Sequence, residues 1–245
     1  MTRPLRVDFP GAINHVTARA LDGQLLFEDD FDRTYFLGDL RRAVRRYTWL
    51  VHGLCLMGTH YHLLVETPQA NLSIGVRQLN GVYAQGFNAG RGRHGHLFQS
   101  RFKSRLVERG AHLLELCRYN DLNPVRAGLC AHPRDWPWSS HRAYVGLEPP
   151  PTFLTTAWIA SQFGRTTAAA RRGYAAFVDE ALAASQPEAV GEIYLGSPRF
   201  AWEASAPHTP IPEVPRAHWQ PVRPSIESLL EREGERGVLV ACRKT

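Results

Sequence analysis

The sequence contains no apolar run that could cross a membrane, since a spanning helix needs about 20 consecutive apolar residues. Its N-terminus, Met1 to Pro10, carries Arg3, Arg6 and Asp8 and lacks the apolar stretch of a secretory signal. The cysteines form no CxxC pair, which argues against a disulfide framework. These absences predict a cytoplasmic protein without membrane contact. Its four cysteines are then reduced thiols, mostly buried: Cys55, Cys117, Cys130 and Cys242.

Excess positive charge is confined to the first part of the chain. Residues 1–146 hold 19 Lys and Arg against 12 Asp and Glu, a balance of +7, whereas residues 147–245 hold 10 against 11. Of the 19 cationic residues, 18 are Arg, which suits bidentate phosphate contacts and stacking on bases. This charge favours a nucleic-acid partner, although an ordinary solvated surface would look the same.

Apolar periodicity predicts an α+β domain in residues 1–146. The element order is strand, helix, strand, strand, helix, strand, helix, and its first six elements match a ferredoxin-like antiparallel sheet with helices packed on it. The predicted strands are 13–19, 49–57, 61–66 and 97–107. The predicted helices are 31–46, capped by Asp30 or Asp32, then 72–88, and 111–122, which ends before Pro124.

Beyond residue 146 the pattern changes. Glu148-Pro-Pro-Pro-Thr152 is typical of a linker. Residues 147–204 are predicted to form a small helical extension with helices at 158–163 and 168–184. Residues 205–224 contain six prolines and predict an extended linker, which a short helix at 225–232 follows.

A His-x-His pattern starts the third predicted strand. His60 and His62 share one strand face, so both imidazoles can reach one metal ion, while Tyr61 points into the core. On the third helix Tyr119 and Asn123 are four residues apart and share a face. If that face packs over the histidine strand, Asn123 supplies an oxygen ligand and Tyr119 lies beside the ion. The alternative is two incidental histidines, a core tyrosine and a helix-end asparagine.

This combination contains the parts that phosphodiester cleavage requires, namely a nucleophile, a cation and a grip on the backbone. A tyrosine nucleophile stores the broken bond as a phosphotyrosine, which a later 3′-hydroxyl can attack. Attack by water would instead hydrolyse the bond and lose the energy that rejoining needs. A site of tyrosine and metal therefore suggests rejoining of strands rather than digestion.

Residues 91–105 contain no acid and are predicted to hold the DNA backbone. Three cations at alternating positions would line one face of a strand, and two phenylalanines between them either stack on bases or belong to the core. The cations of this segment are Arg91, Arg93, Arg101, Lys103 and Arg105, and the phenylalanines are Phe98 and Phe102.

These motifs resemble the REP-associated tyrosine transposases, within the single-tyrosine HUH transposases. The similarity covers nearly all of residues 1–146, in order. It runs through Ile13-Asn-His-Val-Thr-Ala-Arg19, Leu54-Cys-Leu-Met-Gly-Thr-His-Tyr-His-Leu-Leu64, Asn71-Leu-Ser73, His96-Leu-Phe-Gln-Ser-Arg-Phe-Lys103, Arg118-Tyr-Asn-Asp-Leu-Asn-Pro-Val-Arg-Ala-Gly128 and Trp138-Ser-Ser140.

The resemblance implies an HUH endonuclease core in which His60, His62 and Asn123 bind Mg²⁺ or Mn²⁺ and Tyr119 is the nucleophile. Family members are expected to recognise imperfect hairpins and to cut single-stranded DNA beside them, leaving a 5′-phosphotyrosine and a free 3′-hydroxyl. The expected partner is single-stranded or hairpin DNA, and the expected state is a monomer or homodimer. The expected DNA-binding residues are Arg19, Arg91, Arg93, Gln99, Arg101, Lys103, Arg105 and Arg126.

Two positions depart from the family pattern. Thr59 stands where family members usually carry Asn, and Asn120-Asp121 stands where they usually carry Ile-His. Asp121 is expected to place a negative charge near the phosphate, where it would weaken DNA binding or add a metal contact. Longer members continue into a helix-turn-helix reader, so residues 205–245 are expected to hold a linker and the start of a truncated DNA-binding region.

Two other functions remain open at the level of sequence. A catalytically silent regulator derived from a transposase would bind hairpins without cutting them. A zinc hydrolase or deaminase would use His60 and His62, but a deaminase also needs H-x-E with P-C-x-x-C, which the sequence lacks. A structural zinc site needs four closed ligands, and Cys55 is the one nearby candidate.

Overall fold

The computed structural model describes residues 8–183, 194–195 and 200. Its elements follow the predicted order, with a short 3₁₀ helix, three α-helices and a two-residue strand after the first seven. The strands are β1 Ala12–Arg19, β2 Leu50–Leu56, β3 His60–Thr67, β4 Lys103–Val107 and β5 Tyr194–Leu195. The helices are α1 Asp30–Tyr47, α2 Leu72–Gly90, α3 Ala111–Arg126, α4 His141–Val145, α5 Ala157–Ser161 and α6 Thr167–Ala183.

The sheet has the order β2-β3-β1-β4-β5, in which the first four strands are antiparallel and β5 runs parallel to β4. The predicted α+β fold with a ferredoxin-like sheet is therefore confirmed. β1 pairs with β3 along its whole length, from Ala12 opposite Thr67 to Arg19 opposite His60. This register brings the ends of β1 and β3 that carry Arg19 and His60 to the same side of the sheet.

Alternation along the strands divides the core into two layers. Side chains such as Val16 and Tyr61 face α1 and α2, whereas Ile13 and Leu64 face α3. Tyr61 is fully buried, as its place opposite to the two histidines predicts. The histidines at 60 and 62 therefore share the face over which α3 packs.

Helix α3 is longer than predicted. The expected stop before Pro124 is wrong, because the helix continues to Arg126 and the backbone N–H of Ala127 still bonds the carbonyl of Asn123. Proline near the end of a helix removes a single i→i−4 bond, and here the last turn tolerates that loss. As a result Tyr119, Asn123 and Arg126 lie on one continuous helix with i, i+4 and i+7 spacing.

Two further expectations are corrected. The cap of α1 is Asp29, whose side chain accepts from the backbone N–H of Asp32, rather than Asp30 or Asp32. The strand predicted over 97–107 is regular only from Lys103 onward. Its earlier part pairs with β1 at an isolated bridge between Phe98 and Ala20. Between this bridge and the pair of Lys103 with Thr17, four residues of the segment lie opposite two residues of β1. An irregularity of this kind breaks strict alternation.

Helices α5 and α6, which follow residue 146, pack in the same cluster as α3. Ile159 of α5 and Tyr174 and Val178 of α6 share a buried cluster with Leu113 and Leu116. The predicted helices at 158–163 and 168–184 are thus present with slightly different ends. The helix predicted at 225–232 and Cys242 lie outside the described residues, and the boundaries at 146 and 204 stay predictions.

Among the described cysteines Cys55, Cys117 and Cys130 are free thiols. None of the described helices has the length and apolar character to cross a membrane.

A close approach between α2 and the start of β2 allows a stability prediction. A Cβ on Gly75 would lie 2.1 Å from Trp49 Cζ2, and Trp49 is buried. Gly75→Ala is expected to lower the free energy of unfolding by about 1–3 kcal/mol through overpacking. The matched control is Gly81→Ala in the same helix, where a Cβ meets nothing within 4 Å, and the expected change is a gain of about 0.5–1 kcal/mol. Urea unfolding measures both, and equal effects would contradict the packing argument.

Candidate functional site

The structure brings the predicted metal ligands and nucleophile together at one depression of about 430 Å³ between β1, β3, the 99–105 segment and α3. His60 and His62 reach it from β3, and Tyr119 and Asn123 reach it from α3. Its other lining residues come from β1 and the basic segment. They are His15, Thr17, Ala18, Arg19, Gln99, Ser100, Arg101, Lys103 and Arg105.

His62 is held by a second histidine that sequence reasoning did not single out. His15 Nε2 lies 3.0 Å from His62 Nδ1, and the two rings stack with centroids 5.2 Å apart. His62 Nε2 is buried and has no hydrogen-bond partner among the described residues. If His62 Nδ1 donates to His15, the lone pair of Nε2 is free to bind a cation. The signal for His15 was its strand position, four residues before Arg19 on the same face.

The environment keeps these imidazoles neutral at pH 7. Burial, together with the charge of Arg19, lowers the pKa of His60 to about 4. Burial, and then the charge of Arg105, lowers the pKa of His15 to about 3, and the pKa of His62 also falls well below its ordinary value, chiefly through burial. Neutral imidazole is the form that binds metal ions.

Thr59 departs from the family pattern but has a defined contact. Its hydroxyl oxygen lies 3.1 Å from His60 Nδ1. A hydroxyl accepts as well as donates, so Thr59 can fix the orientation of the His60 ring. The opposite nitrogen, Nε2, is then the atom of His60 available to a cation.

Tyr119 is half-buried and lies beside the rings of His62 and His15. Its ring centroid is 6.1 Å from that of His62 and 6.3 Å from that of His15, with edge-on geometry in each case. The guanidinium carbon of Arg126 lies 5.2 Å from the Tyr119 ring centroid. Arg126, predicted to bind DNA, does not line the depression but covers one face of the tyrosine ring.

The residues that fit a divalent cation are His60, His62 and Asn123. The neutral imidazoles and the orphaned Nε2 of His62 suit such an ion, and the amide nitrogen of Asn123 is also buried without a partner. The oxygen and nitrogen of an amide can be exchanged by a flip, so Asn123 can turn its oxygen inward. Within the described part of the chain no group of three His, Cys, Asp or Glu side chains could hold a metal. A bound ion would therefore depend on the amide of Asn123 as well as on the histidines.

The rim of the depression carries positive charge. Four of its lining residues are cationic and none is acidic, which gives a surface suited to phosphate. They are Arg19, Arg101, Lys103 and Arg105, all of them predicted for this role. Gln99 also lines the depression, and its side-chain amide donates to Asp22.

Arg91 and Arg93 are not part of this group. Arg91 forms ion pairs with Glu28 and Asp32, and Arg93 pairs with Glu28. Both guanidinium groups also lie near the ring of Phe87. Their role in binding DNA stays a prediction, now for a surface apart from the histidines.

The phenylalanines of the basic segment belong to the core. Phe102 is buried, and Phe98 packs against the cluster that includes Leu97. Of the two roles considered for these rings, the structure therefore supports packing rather than stacking on bases.

Asp121 does not lie near the expected phosphate, which corrects the expectation from sequence. It is fully buried, and its Oδ2 lies 3.1 Å from His141 Nδ1 and 2.7 Å from the Tyr174 hydroxyl. On a helix, positions 119 and 121 point to different sides, so the face that carries Tyr119 cannot also present Asp121. The Asp121 side chain therefore does not line the depression.

Fold and site together define an α+β protein with a ferredoxin-like antiparallel sheet and a pocket that combines histidines, a tyrosine and a basic rim. The structure is similar to a solved structure of a REP-associated tyrosine transposase bound to a REP hairpin. The TM-score is 0.53 at 16% sequence identity, and the match covers 63% of this chain and 92% of the other. At this identity the likeness establishes a shared fold. No protein-family model matches the chain, and no curated protein matches it.

Proposed function

We propose that this protein is a metal-dependent single-strand DNA nicking and joining enzyme, a transposase that acts at DNA hairpins with Tyr119 as nucleophile. The observation that carries the proposal is the convergence of Tyr119, His60, His62 and Asn123 on one depression. The cationic rim supports a polyanionic substrate, and the shared fold with a hairpin-bound transposase supports hairpin DNA as that substrate. The fold alone would not carry it, because one fold hosts many functions.

The proposed reaction is a displacement at phosphorus with Tyr119 as nucleophile. The phenol oxygen of Tyr119 attacks the phosphorus, and the bond from phosphorus to the 3′ oxygen breaks. The phenol proton passes to solvent, and the departing oxygen takes up a proton to become a 3′-hydroxyl. The product is a 5′-phosphotyrosine, from which a second 3′-hydroxyl can displace Tyr119 and rejoin the DNA.

The side chains around Tyr119 have separate roles in this scheme. Arg19, Lys103 and Arg105, which line the depression with Tyr119, bind the phosphates of the DNA backbone. His60, His62 and Asn123 would hold Mg²⁺ or Mn²⁺, which supplies charge stabilisation for the non-bridging oxygens.

The decisive experiment incubates the full chain with end-labelled single-stranded hairpin DNA and Mn²⁺, and looks for an adduct that resists SDS. Peptide mapping of the adduct to Tyr119 is the expected result. The test uses a set of hairpins with different stems, loops and flanks. Tight hairpin binding without an adduct, across these hairpins and with both metals, would reject the enzyme and favour the non-cutting regulator.

The cationic rim predicts a change in salt dependence. Lys103→Ala is expected to weaken binding of single-stranded DNA and to reduce the counterions released by about one, because one phosphate contact is lost. The slope of log affinity against log salt concentration measures this change. Arg45→Ala is the control, since Arg45 is exposed on α1 and lies outside the depression. Equal slopes for Lys103→Ala and the unchanged protein would remove Lys103 from the DNA surface.

A further inference from the structure

Helix α6 is tied to α3 by polar contacts on both sides of Tyr119. After Tyr119, the Tyr174 hydroxyl donates to Asp121 Oδ2 at 2.7 Å. Before it, the Arg118 guanidinium donates to the Phe177 carbonyl oxygen at 3.3 Å and lies over the Phe177 ring, 4.3 Å from its centroid. The turn of α3 that carries Tyr119 is therefore held from outside the sheet.

The contact between Tyr174 and Asp121 is enclosed. Tyr174 is 1% exposed and Asp121 is 0% exposed, and His141 of α4 approaches the same carboxylate oxygen. Burial, and then the charge of Asp121, raises the pKa of Tyr174 well above its ordinary value, so the phenol keeps its proton and donates it. A buried carboxylate is costly unless donors surround it. The position of α3 is thereby linked to that of the Tyr174 hydroxyl.

Helix α6 also packs against α4 and contacts the segment that follows α3. The Tyr174 ring stacks on Tyr144 with centroids 4.7 Å apart, and Val178 is buried beside it. At the surface, Asp179 Oδ1 lies 2.9 Å from His132 Nε2, in the segment that follows α3. Helix α6 contacts Arg118 and Asp121 within α3 and His132 after it. A shift of α6 would therefore carry α3 with it.

We infer that Tyr174 and Asp121 are positioning residues for Tyr119, so that α6 sets the orientation in which the Tyr119 phenol enters the depression. The inference rests on the proposed role of Tyr119 as nucleophile. Neither Tyr174 nor Asp121 lines the depression, so both act through α3 rather than on DNA or on a cation. Misplacement of a reacting group by about 1 Å can slow a reaction by about 100-fold, so a modest shift of α3 is enough to matter.

The test uses Tyr174→Phe in the full chain, which removes the hydroxyl and leaves the ring in its stack. The rate of adduct formation with hairpin DNA in a single turnover is expected to fall by about tenfold or more, with unchanged affinities for the hairpin and for Mn²⁺. Tyr144→Phe is the matched control. Tyr144 is also buried, and its hydroxyl donates to the His52 carbonyl oxygen at 2.7 Å rather than to α3. Both variants lose one buried hydrogen bond, but the bond lost in Tyr144→Phe does not involve α3. The rate in Tyr144→Phe is therefore expected to stay unchanged well below its unfolding temperature.

A second measurement reads the position of Tyr119 without DNA cleavage. With 3-fluorotyrosine in place of Tyr119, the ¹⁹F resonance is expected to shift or broaden in Tyr174→Phe and to stay in place in Tyr144→Phe. An adduct rate and a fluorine resonance that both match the unchanged protein would overturn the inference. If the unchanged protein forms no adduct, the proposed function fails, and the fluorine spectra alone then decide whether α6 positions Tyr119.

Discussion

Replacement of Tyr119 by Phe is expected to abolish the covalent adduct with hairpin DNA while leaving DNA affinity within about twofold. The substitution removes one oxygen, and without it no bond to phosphorus can form. Loss of a nucleophile commonly lowers a rate by several orders of magnitude, so adduct formation should fall by at least about 1,000-fold. The ring, its edge-on contacts with His15 and His62 and the Arg126 guanidinium above it can all remain.

Gel analysis of the adduct and fluorescence anisotropy of hairpin binding measure the two quantities separately. Tyr35→Phe is a suitable control, since Tyr35 is also half-buried but packs against the core cluster on the opposite side of the sheet. It should form adduct at the unchanged rate. An adduct that persists in Tyr119→Phe would place the nucleophile on another residue.

Removal of a histidine should separate metal binding from folding. His60→Ala is expected to weaken Mn²⁺ binding by at least about 100-fold and to abolish cleavage, because loss of even an outer-shell partner of a ligand costs about 10–100-fold. His60 is the better choice than His62, which is buried and bonded to His15, so that its removal would also disturb the core.

Electron paramagnetic resonance of free Mn²⁺ gives the affinity directly, and circular dichroism checks the fold. His112→Ala serves as control, since His112 is exposed at the start of α3 and lies outside the depression. Wild-type affinity for Mn²⁺ in His60→Ala would end the assignment of this cluster as a metal site.

Local patterns were sufficient for most of the fold. The alternation around His15 to Arg19 and the helical spacing after Leu72 predict β1 and α2 within a few residues, because each pattern lies within its own element. The same logic placed His60 and His62 on one strand face and Tyr119 and Asn123 on one helix face, and the structure brings these faces together.

What sequence could not supply are contacts between residues far apart in the chain. Asp121 was expected beside the phosphate, but Tyr174, 53 residues later, supplies its donor in the core. His15 and His62 are 47 residues apart and touch only because β1 and β3 pair in one register. Periodicity indicates which face a side chain occupies, whereas its partner depends on how the elements pack.

The outer side of β2 has a consequence for how copies of this protein could assemble. The backbone of this strand is occupied by the chain itself, through bonds from Leu56 to Trp138, from Ser140 to Leu54 and from Thr155 to Val51. An open strand edge is a template on which another chain can extend a sheet, and covering it prevents that mode of aggregation and of peptide capture. A homodimer could therefore not arise by sheet extension through β2.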